Sequence, residues 1–594
     1  MSAVWKYFEV TDGDKTKANC KLCSAKLSRG GTNSRTFNTS NLIKHLKNHH
    51  CAEYREFSSS GKQHQPTLQQ TVEKREKMSR DNVRAVKITE ALTQYIALDD
   101  QPLSVVDNMG FRRLLAVLEP RYEIPSRHHI TDTVLPKLHD FVKRHIHNLL
   151  QDVAAVSFTT DIWTSSVSPM SLISLTAQWI DGDFTSQRVV LHAKQFRGSH
   201  TSQAIAGVFD DMLQIWRIPK TSVHVVLRDN AKNMIKAMND AGLPSLPCVA
   251  HTLQLAVHEG LLAQRSVLDA VSVGRKIVGH FKHSALACSH LEDIQGQLNQ
   301  PIKRLQQDVQ TRWNSTFYML QSLMEQKRAL GIYGSEHQLP DNLTAHQWAL
   351  LEKTVSVLAP FEELTRKVSS SDSLASDTIP AVTVLLRLLN RETDEDHGIK
   401  TMKATLAAAV KRRFIDTEKN PLYCISTLLD PRYKDRFFSD ISGAAGAKEM
   451  LKLELQRMSK REAEEEHGEP PPRKPRKAQP SSSLDSVFEE IADEQESTSV
   501  CCAPVGAAIQ LETYLGETTT AREENPLQYW GVNKVRFPAL AQVSQRYLSA
   551  PCSSVESERL FSSVSHIVDE NRNRLTADNT EKLLFIKKNL PLTF

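Results

Sequence analysis

Four residues near the start of the chain have the side chains and the spacing to hold a metal ion. Cys20 and Cys23 stand two residues apart, and His45 is followed by His49 and His50. A C-x2-C turn places both sulfurs on one side of an ion, and two imidazoles one helical turn apart face a common point. Two thiolates and two imidazoles are the donor set of a tetrahedral, structural Zn2+ site. Spacing alone leaves the fourth donor open between His49 and His50. Twenty-one residues separate Cys23 from His45, against about 12 in the common C2H2 finger.

Charge gives this segment a partner. Residues 1–50 hold nine Lys/Arg and three Asp/Glu, a net charge of +6, while the whole chain is only +5. A small module carrying all of the excess positive charge is expected to contact phosphates, and double-stranded DNA is the expected partner. Arg29, Arg35, Lys44 and Lys47 flank the second ligand pair and are the candidate DNA contacts. The plainer reading is a solvated basic face.

A second kind of chemistry lies further along. Asp161 ends the short β-branched run Val153-Ala-Ala-Val-Ser-Phe-Thr-Thr-Asp161, and Asp229 ends the run Val223-His-Val-Val-Leu227. Strand ends hold side chains rigidly while leaving them open to a ligand. If the two strands are neighbours, their carboxylates converge, and a divalent cation relieves the repulsion. Mg2+ or Mn2+ held by acidic residues activates water and stabilises the leaving oxygen in phosphodiester cleavage, and such a site calls for a third acid. Cys248 and His251 form a Cys-x-x-His pair with no second pair nearby. The alternatives are half of a metal site, or a packed thiol beside a strand-end histidine.

These residues need a framework. At 594 residues the chain is too long for one core. Helical periodicity covers 68–150, clearest over Asp81–Ala97 and Asp132–Leu150. Strand patterns then occupy 153–161, 170–180 and 188–196, with a hairpin signal at Asp181-Gly182-Asp183. A helix (202–216), a strand (223–227), a second helix (231–241) and a buried strand near Pro247-Cys-Val-Ala250 complete the set. A meander that turns into βαβ units predicts a mixed sheet. Helical patterns fill 252–460, a charged, proline-rich stretch follows, and helices return over 540–548, 555–564 and 577–588. Nine dispersed cysteines, no apolar run able to span a bilayer and no apolar leader segment point to reduced thiols, no membrane, and the nucleus as the place for a DNA-binding protein. Within the stretch, Arg473–Lys477 is a candidate import signal.

The long finger gap, the aromatic group Trp5, Tyr7 and Phe8, and Thr39-Ser-Asn-Leu42 resemble the BED zinc finger, a DNA-binding family. That resemblance favours His50 over His49 as the fourth ligand, with Cys51 a weaker candidate. Phe158-Thr-Thr-Asp-Ile-Trp-Thr164, Leu227-Arg-Asp-Asn-Ala231, Cys248-Val-Ala-His251, Arg312-Trp-Asn314 and Pro551-Cys-Ser-Ser-Val-Glu-Ser-Glu-Arg-Leu-Phe-Ser562 resemble, in order, motifs of the hAT transposase superfamily. The resemblance implies an α/β multidomain chain: a small N-terminal BED finger, an RNase H-like mixed sheet interrupted by a large all-α insertion, and a helical C-terminal dimerisation region. It implies a triad of Asp161, Asp229 and Glu558, with Glu558 rather than Glu556 at the motif position. It also implies that His251 and Arg312 contact DNA and that Trp313 stacks on or supports it, whereas Trp313 taken as a lone feature reads as a core residue. The C-terminal region implies a homodimer or higher homo-oligomer, with Leu540, Leu548, Leu560, Phe561, Leu583, Leu584 and Phe585 as the apolar set for pairing or for closing the core.

The expected organisation is a finger over 1–57, a linker over 58–80 and a helical region over 81–150. The first part of the RNase H-like domain follows over 151–258, then the helical insertion over 259–458. A disordered linker over 459–508 leads to the dimerisation region at 509–594. Two functions compete. One is a nuclear, zinc-dependent, dimeric DNA-binding protein derived from such a transposase and regulating transcription by RNA polymerase II. The other is an active transposase cutting and transferring DNA strands with divalent metal.

Overall fold

A computed structural model describes residues 3–31, 36–60, 77–165, 170–391, 399–466, 503–567 and 575–593. The chain folds as two units, 1–89 with 106–126, and 90–105 with 127–594.

In the first unit three short antiparallel strands, β1 (Phe8–Val10), β2 (Lys17–Cys20) and β3 (Lys26–Ser28), pair in the order β1-β2-β3. Helix α1 (Ser40–His49) buries Leu42 and Leu46, one turn apart, and α2 (Cys51–Ser60) follows. The core is small: Val4, Tyr7, Phe8, Ala18, Cys20, Leu42 and Leu46. So few buried side chains are too little for an independent domain, and a crosslink or metal is required. Helices α3 (Val83–Leu98) and α4 (Met109–Leu118) come next in the chain, and α4 buries none of its residues.

The second unit opens with α5 (Leu135–Leu150), preceded by a π-helical turn, Ile130–Val134. Its sheet holds six strands: β4 (Val156–Thr159), β5 (Ile162–Thr164), β6 (Ser171–Ile180), β7 (Ser186–Gln195), β8 (Val223–Arg228) and β9 (Ser245–Pro247). The order is β5-β6-β4-β8-β9, with β7 on β6. β4–β8 and β8–β9 are parallel, whereas β6 runs antiparallel to β4, β5 and β7, so the sheet is mixed as expected. Asp181 closes the β6–β7 hairpin, its carboxylate accepting from the N–H groups of Asp183 and Thr185 at 3.0 and 2.9 Å. Helices α6 (Ser202–Ile215) and α7 (Lys232–Asp240) make the crossovers.

Two details correct the sequence reading. The first expected strand, 153–161, is shorter: β4 covers Val156–Thr159, Asp161 turns its carboxylate onto the N–H of Ile162 (2.9 Å), and β5 starts beyond the expected end. The strand expected at 247–250 ends at Pro247, and Val249 already begins helix α8 (Val249–Val257). A short apolar run reads the same for a buried strand and a buried helix.

Helices then dominate the described residues: α9 (Arg265–His283), α10 (Ala285–Gln297), α11 (Trp313–Glu325), α12 (Lys327–Glu336), α13 (Ala345–Val368), α14 (Thr378–Asn390), α15 (Lys400–Arg413), α16 (Pro421–Leu429) and α17 (Ile441–Glu466). Residues 467–502, with the candidate import signal, lie outside the described residues. Helix extends into both ends of the stretch read as irregular, to Glu466 and again from Ala503 in α18 (Ala503–Gly516). The remaining helices are α19 (Pro526–Asn533), α20 (Pro538–Tyr547), α21 (Val555–Ile567) and α22 (Ala577–Asn589).

The last hundred residues return to the sheet. Asn589 on α22 pairs with the backbone of Val190 on β7 through both its oxygen (2.9 Å) and its amide nitrogen (2.7 Å). Ser549 and Ser557 hydrogen-bond Ser157 and Thr159 on β4 at 2.7 and 2.8 Å. Val225, Leu227 and Leu246 share one core with Leu428, Leu451, Tyr514, Trp530 and Leu540. Leu540, Leu548, Leu560, Phe561, Leu583, Leu584 and Phe585 are all buried within the single chain. Of the two uses expected, pairing or closing the core, these side chains serve the second and close this chain's own core. The apolar side chains this region leaves exposed include Val532 (83 %) and Val535 (87 %).

Candidate functional site

In the first unit, β2 and the turn after it carry Cys20 and Cys23, and α1 carries His45 with His50 at its end. One donor atom from each of Cys20, Cys23, His45 and His50 lies within 4.8 Å of the others. Cys23 Sγ is 3.3 Å from His45 Nε2, and Cys20 Sγ is 3.6 Å from His50 Nε2. A tetrahedron with Zn–S near 2.3 Å and Zn–N near 2.0 Å has S···N edges of about 3.6 Å. The donor set fits structural Zn2+, the four atoms drawing in from a spread of up to 4.8 Å to the edges of the tetrahedron. Burial, then the charges of His49 and His50, hold His45 below its ordinary pKa, which keeps the ring neutral as a ligand must be. His49 stacks beside His45 with ring centres 4.8 Å apart, and Cys51 Sγ is turned to the carbonyl of Lys47.

Of the basic residues, Lys44 and Lys47 are exposed on one face of α1. Arg29 is not free in the same way. Its guanidinium lies over the rings of Phe37 (4.3 Å) and Trp5 (5.0 Å) and donates to the carbonyl of Lys15 at 3.0 Å. Arg29 is thus half-buried and serves as a packing group in the finger. Arg35 lies outside the described residues.

In the second unit, parallel register sets Thr159 opposite Leu227, so Asp161 and Asp229 leave the same end of β4 and β8. Asp161, Asp229 and Glu558 line one cavity of about 490 Å3. Glu558 arrives on α21, fixed by the contact of its neighbour Ser557 to Thr159. Glu556 faces elsewhere, paired with Arg559 at 2.7 Å and Arg188 at 3.7 Å. Burial, then the charge of Glu558, pushes the Asp161 carboxyl up to about 7. Burial also raises Glu558, opposed by Arg312, His251 and Arg559 and reinforced by Asp229. Among the described residues only Cys20, Cys23, His45 and His50 bring their donor atoms close enough to form a metal-type group.

His251 and Arg312 line the same cavity, and Arg312 is exposed. Trp313 requires correction. It is 0 % exposed, set edge-on to Phe317 and Phe361 in the helical core, so neither ring face is open to a base. It is the first residue of α11, whose apolar side sinks into that core while Arg312 at the N-cap stays outside. The Cys248–His251 pair divides. Cys248 is buried and accepts the N–H of Ser554 (3.3 Å), while Val249 donates to the carbonyl of Cys552 (3.0 Å), which ties the segment bearing Glu558 to α8. Among the described residues no further metal-type group joins them.

Sequence reasoning missed Trp163. It follows Asp161 by two residues, lines the cavity and stacks on Phe561 with centres 6.1 Å apart and planes 15° from parallel. A half-buried tryptophan at the tip of a strand, next to a candidate catalytic acid, was the signal available.

Comparison with known proteins finds matches to four segments of the chain. Residues 2–51 match the family model of the BED zinc finger, and 159–242 that of the ZBED1 RNase-like domain. Residues 246–357 match the ZBED1 RNase-like helical domain, and 510–590 the hAT family C-terminal dimerisation region. Zinc finger BED domain-containing protein 4 of Homo sapiens is 29% identical over 622 residues, covering 100% of this chain and 52% of its own length. Zinc finger BED domain-containing protein 6 of Mus musculus is 27% identical, covering 86% of this chain and 56% of its own. Zinc finger BED domain-containing protein RICESLEEPER 2 of Oryza sativa subsp. japonica is 24% identical, covering 99% and 87%. The chain spans about half the length of the human and mouse relatives. With a Cys2His2 group in its finger and a C-terminal region that packs on an RNase-like sheet, the chain carries a BED zinc finger, a ZBED1 RNase-like domain and a hAT family C-terminal dimerisation region.

Proposed function

We propose that the chain is a nuclear regulator of transcription by RNA polymerase II, derived from a hAT transposase, which binds duplex DNA through its zinc finger. The observation that carries this reading is the convergence of Cys20, Cys23, His45 and His50 beneath a helix that exposes Lys44 and Lys47. Zn2+ held by those four residues fixes α1 against the three strands, and the exposed lysines then meet the phosphate backbone. A finger of this size reads few base pairs, so self-association through the C-terminal region supplies a second half-site and raises affinity. The domain plan given above, from finger to dimerisation region, belongs to this reading.

The test is binding by the full chain to a randomised duplex pool, with and without a chelator. Selection of a defined site that chelation abolishes supports the reading. Unselective binding that survives chelation refutes it.

A second reading, metal-dependent strand cleavage and transfer, is favoured by one observation: Asp161, Asp229 and Glu558 line one cavity with His251 and Arg312. The three carboxylates would hold Mg2+ or Mn2+, which supplies an activated water and a stabilised leaving oxygen. Arg312 and His251 orient a phosphate against the carboxylates. Nicking of terminal-repeat DNA with Mn2+, lost in Asp161→Asn, supports cleavage, whereas equal behaviour of the two proteins refutes it.

A further inference from the structure

Helix α13 ends between two cavities. Thr365 and Ser369 line the acidic one, while Leu364, Lys367 and Val368 line another of about 370 Å3 between α13 and α14. Phe437, Arg432, Thr520 and Arg522 also line it, together with the carboxylates of Glu363 and Asp377. Its size falls at the lower end of the roughly 300–1,000 Å3 of small-molecule sites, which are mostly apolar with a few placed polar groups.

The walls have that character. Val384 and Leu388 stand one turn apart on α14 and remain 38 and 44 % exposed. Arg432 is committed, its guanidinium donating to Asp430 at 2.9 and 2.7 Å and to Asp377 at 3.3 Å. Lys367 and Arg522 differ: neither has a carboxylate within 4.0 Å among the described residues, where ion pairs of that length are otherwise common. Thr520 adds a hydroxyl that is buried without a hydrogen-bond partner. Burial and, next, the charge of Arg522 pull the Lys367 ammonium below its ordinary pKa, with Asp377 and Glu523 opposing, and the two cations share one cavity with an apolar floor. An anion between them removes that repulsion, and an apolar body behind it covers the exposed leucine and valine.

We propose that this pocket binds an amphipathic carboxylate, an organic acid with a medium-length apolar tail. Its carboxylate sits between Lys367 and Arg522 and accepts from the Thr520 hydroxyl, and its tail lies along Leu364, Val384, Leu388 and Phe437.

The test titrates the full chain with decanoate by calorimetry, with decan-1-ol as the uncharged counterpart. The proteins are wild type, Lys367→Glu/Arg522→Glu, Leu388→Asp and the distant Lys236→Glu. Wild type and Lys236→Glu are expected to bind one decanoate per chain in the range up to about 1 mM. Decanol, and decanoate on either pocket variant, are expected to bind at least about tenfold more weakly. Should the doubly charge-reversed chain fail to fold, Leu388→Asp, at an exposed position, carries the comparison. A smaller loss in any of these arms, or no saturable binding to wild type, overturns the assignment.

Discussion

His224 offers a measurable link between the sheet and pH. It sits on β8, the strand that ends at Asp229, and it is 3 % exposed. Arg546 Nε donates to its Nδ1 at 3.2 Å, and Tyr547 meets the ring edge-on with centres 4.7 Å apart. A proton on Nδ1 would remove that bond and set a buried cation against the guanidinium. Burial first, then Arg546, holds the folded pKa at about 3. The unfolded value is about 6.5. The neutral ring is therefore the folded form, and the stability it allows is complete above pH 6.5 and is lost as pH falls toward 3. Linkage with these two values gives a loss of about 2 kcal/mol between pH 7 and pH 5. His224→Asn keeps an acceptor for Arg546 and has no group that titrates in this range. A chain of this size does not unfold in one step, so the assay is local: hydrogen exchange of β8 amides by mass spectrometry, corrected for intrinsic rates, at the two pH values. Subtracting the two proteins cancels the other histidines. The wild type is expected to lose about 2 kcal/mol more protection than His224→Asn over this interval. A difference below about 0.5 kcal/mol would refute the buried neutral imidazole.

Three further outcomes follow from the geometry. Cys23→Ser removes one of four donors, so the metal content of the chain should fall from one zinc to less than half of that, with specific DNA binding lost and self-association, read by light scattering, unchanged. Lys44→Glu with Lys47→Glu leaves the zinc group untouched and should lower the salt dependence of DNA binding by about 2 in log–log slope; an unchanged slope would remove α1 from the interface. Truncation before Phe537 strips α20, α21 and α22 from the sheet and exposes β7 and the core around Val225 and Leu227, so aggregation is expected in sedimentation, and a soluble, folded product would contradict the packing.

Much of this protein is local and was legible in the sequence. The zinc group is a short segment in which the donor types and their spacing leave few arrangements, and the structure brings Cys20, Cys23, His45 and His50 together. That the sheet is mixed was equally legible, from alternation, the Asp181 turn and two crossover helices, whereas the order β5-β6-β4-β8-β9 came only with the structure. The two aspartates lay at the ends of runs that a parallel pairing must align.

The remainder depended on what covers each face. Periodicity reports that one side of a helix is apolar, not whether its cover is the same chain, a second copy or a nucleic acid. Hence Leu540, Phe561 and Phe585 read equally well as an interface or a core, and Trp313 as a stacking platform or a packed ring; the tertiary structure places all of them inside. Arg29 carries a charge in the sequence, but only the fold sets it over Trp5 and Phe37. Glu558 lies 329 residues beyond Asp229, and no local pattern spans that gap. It reaches the aspartates because Ser549, Ser557 and Asn589 bind the sheet and because α8 holds Ser554, contacts that exist only once the whole core has closed. Spacing along the chain determines what neighbours can do together, and burial decides which distant residues become neighbours.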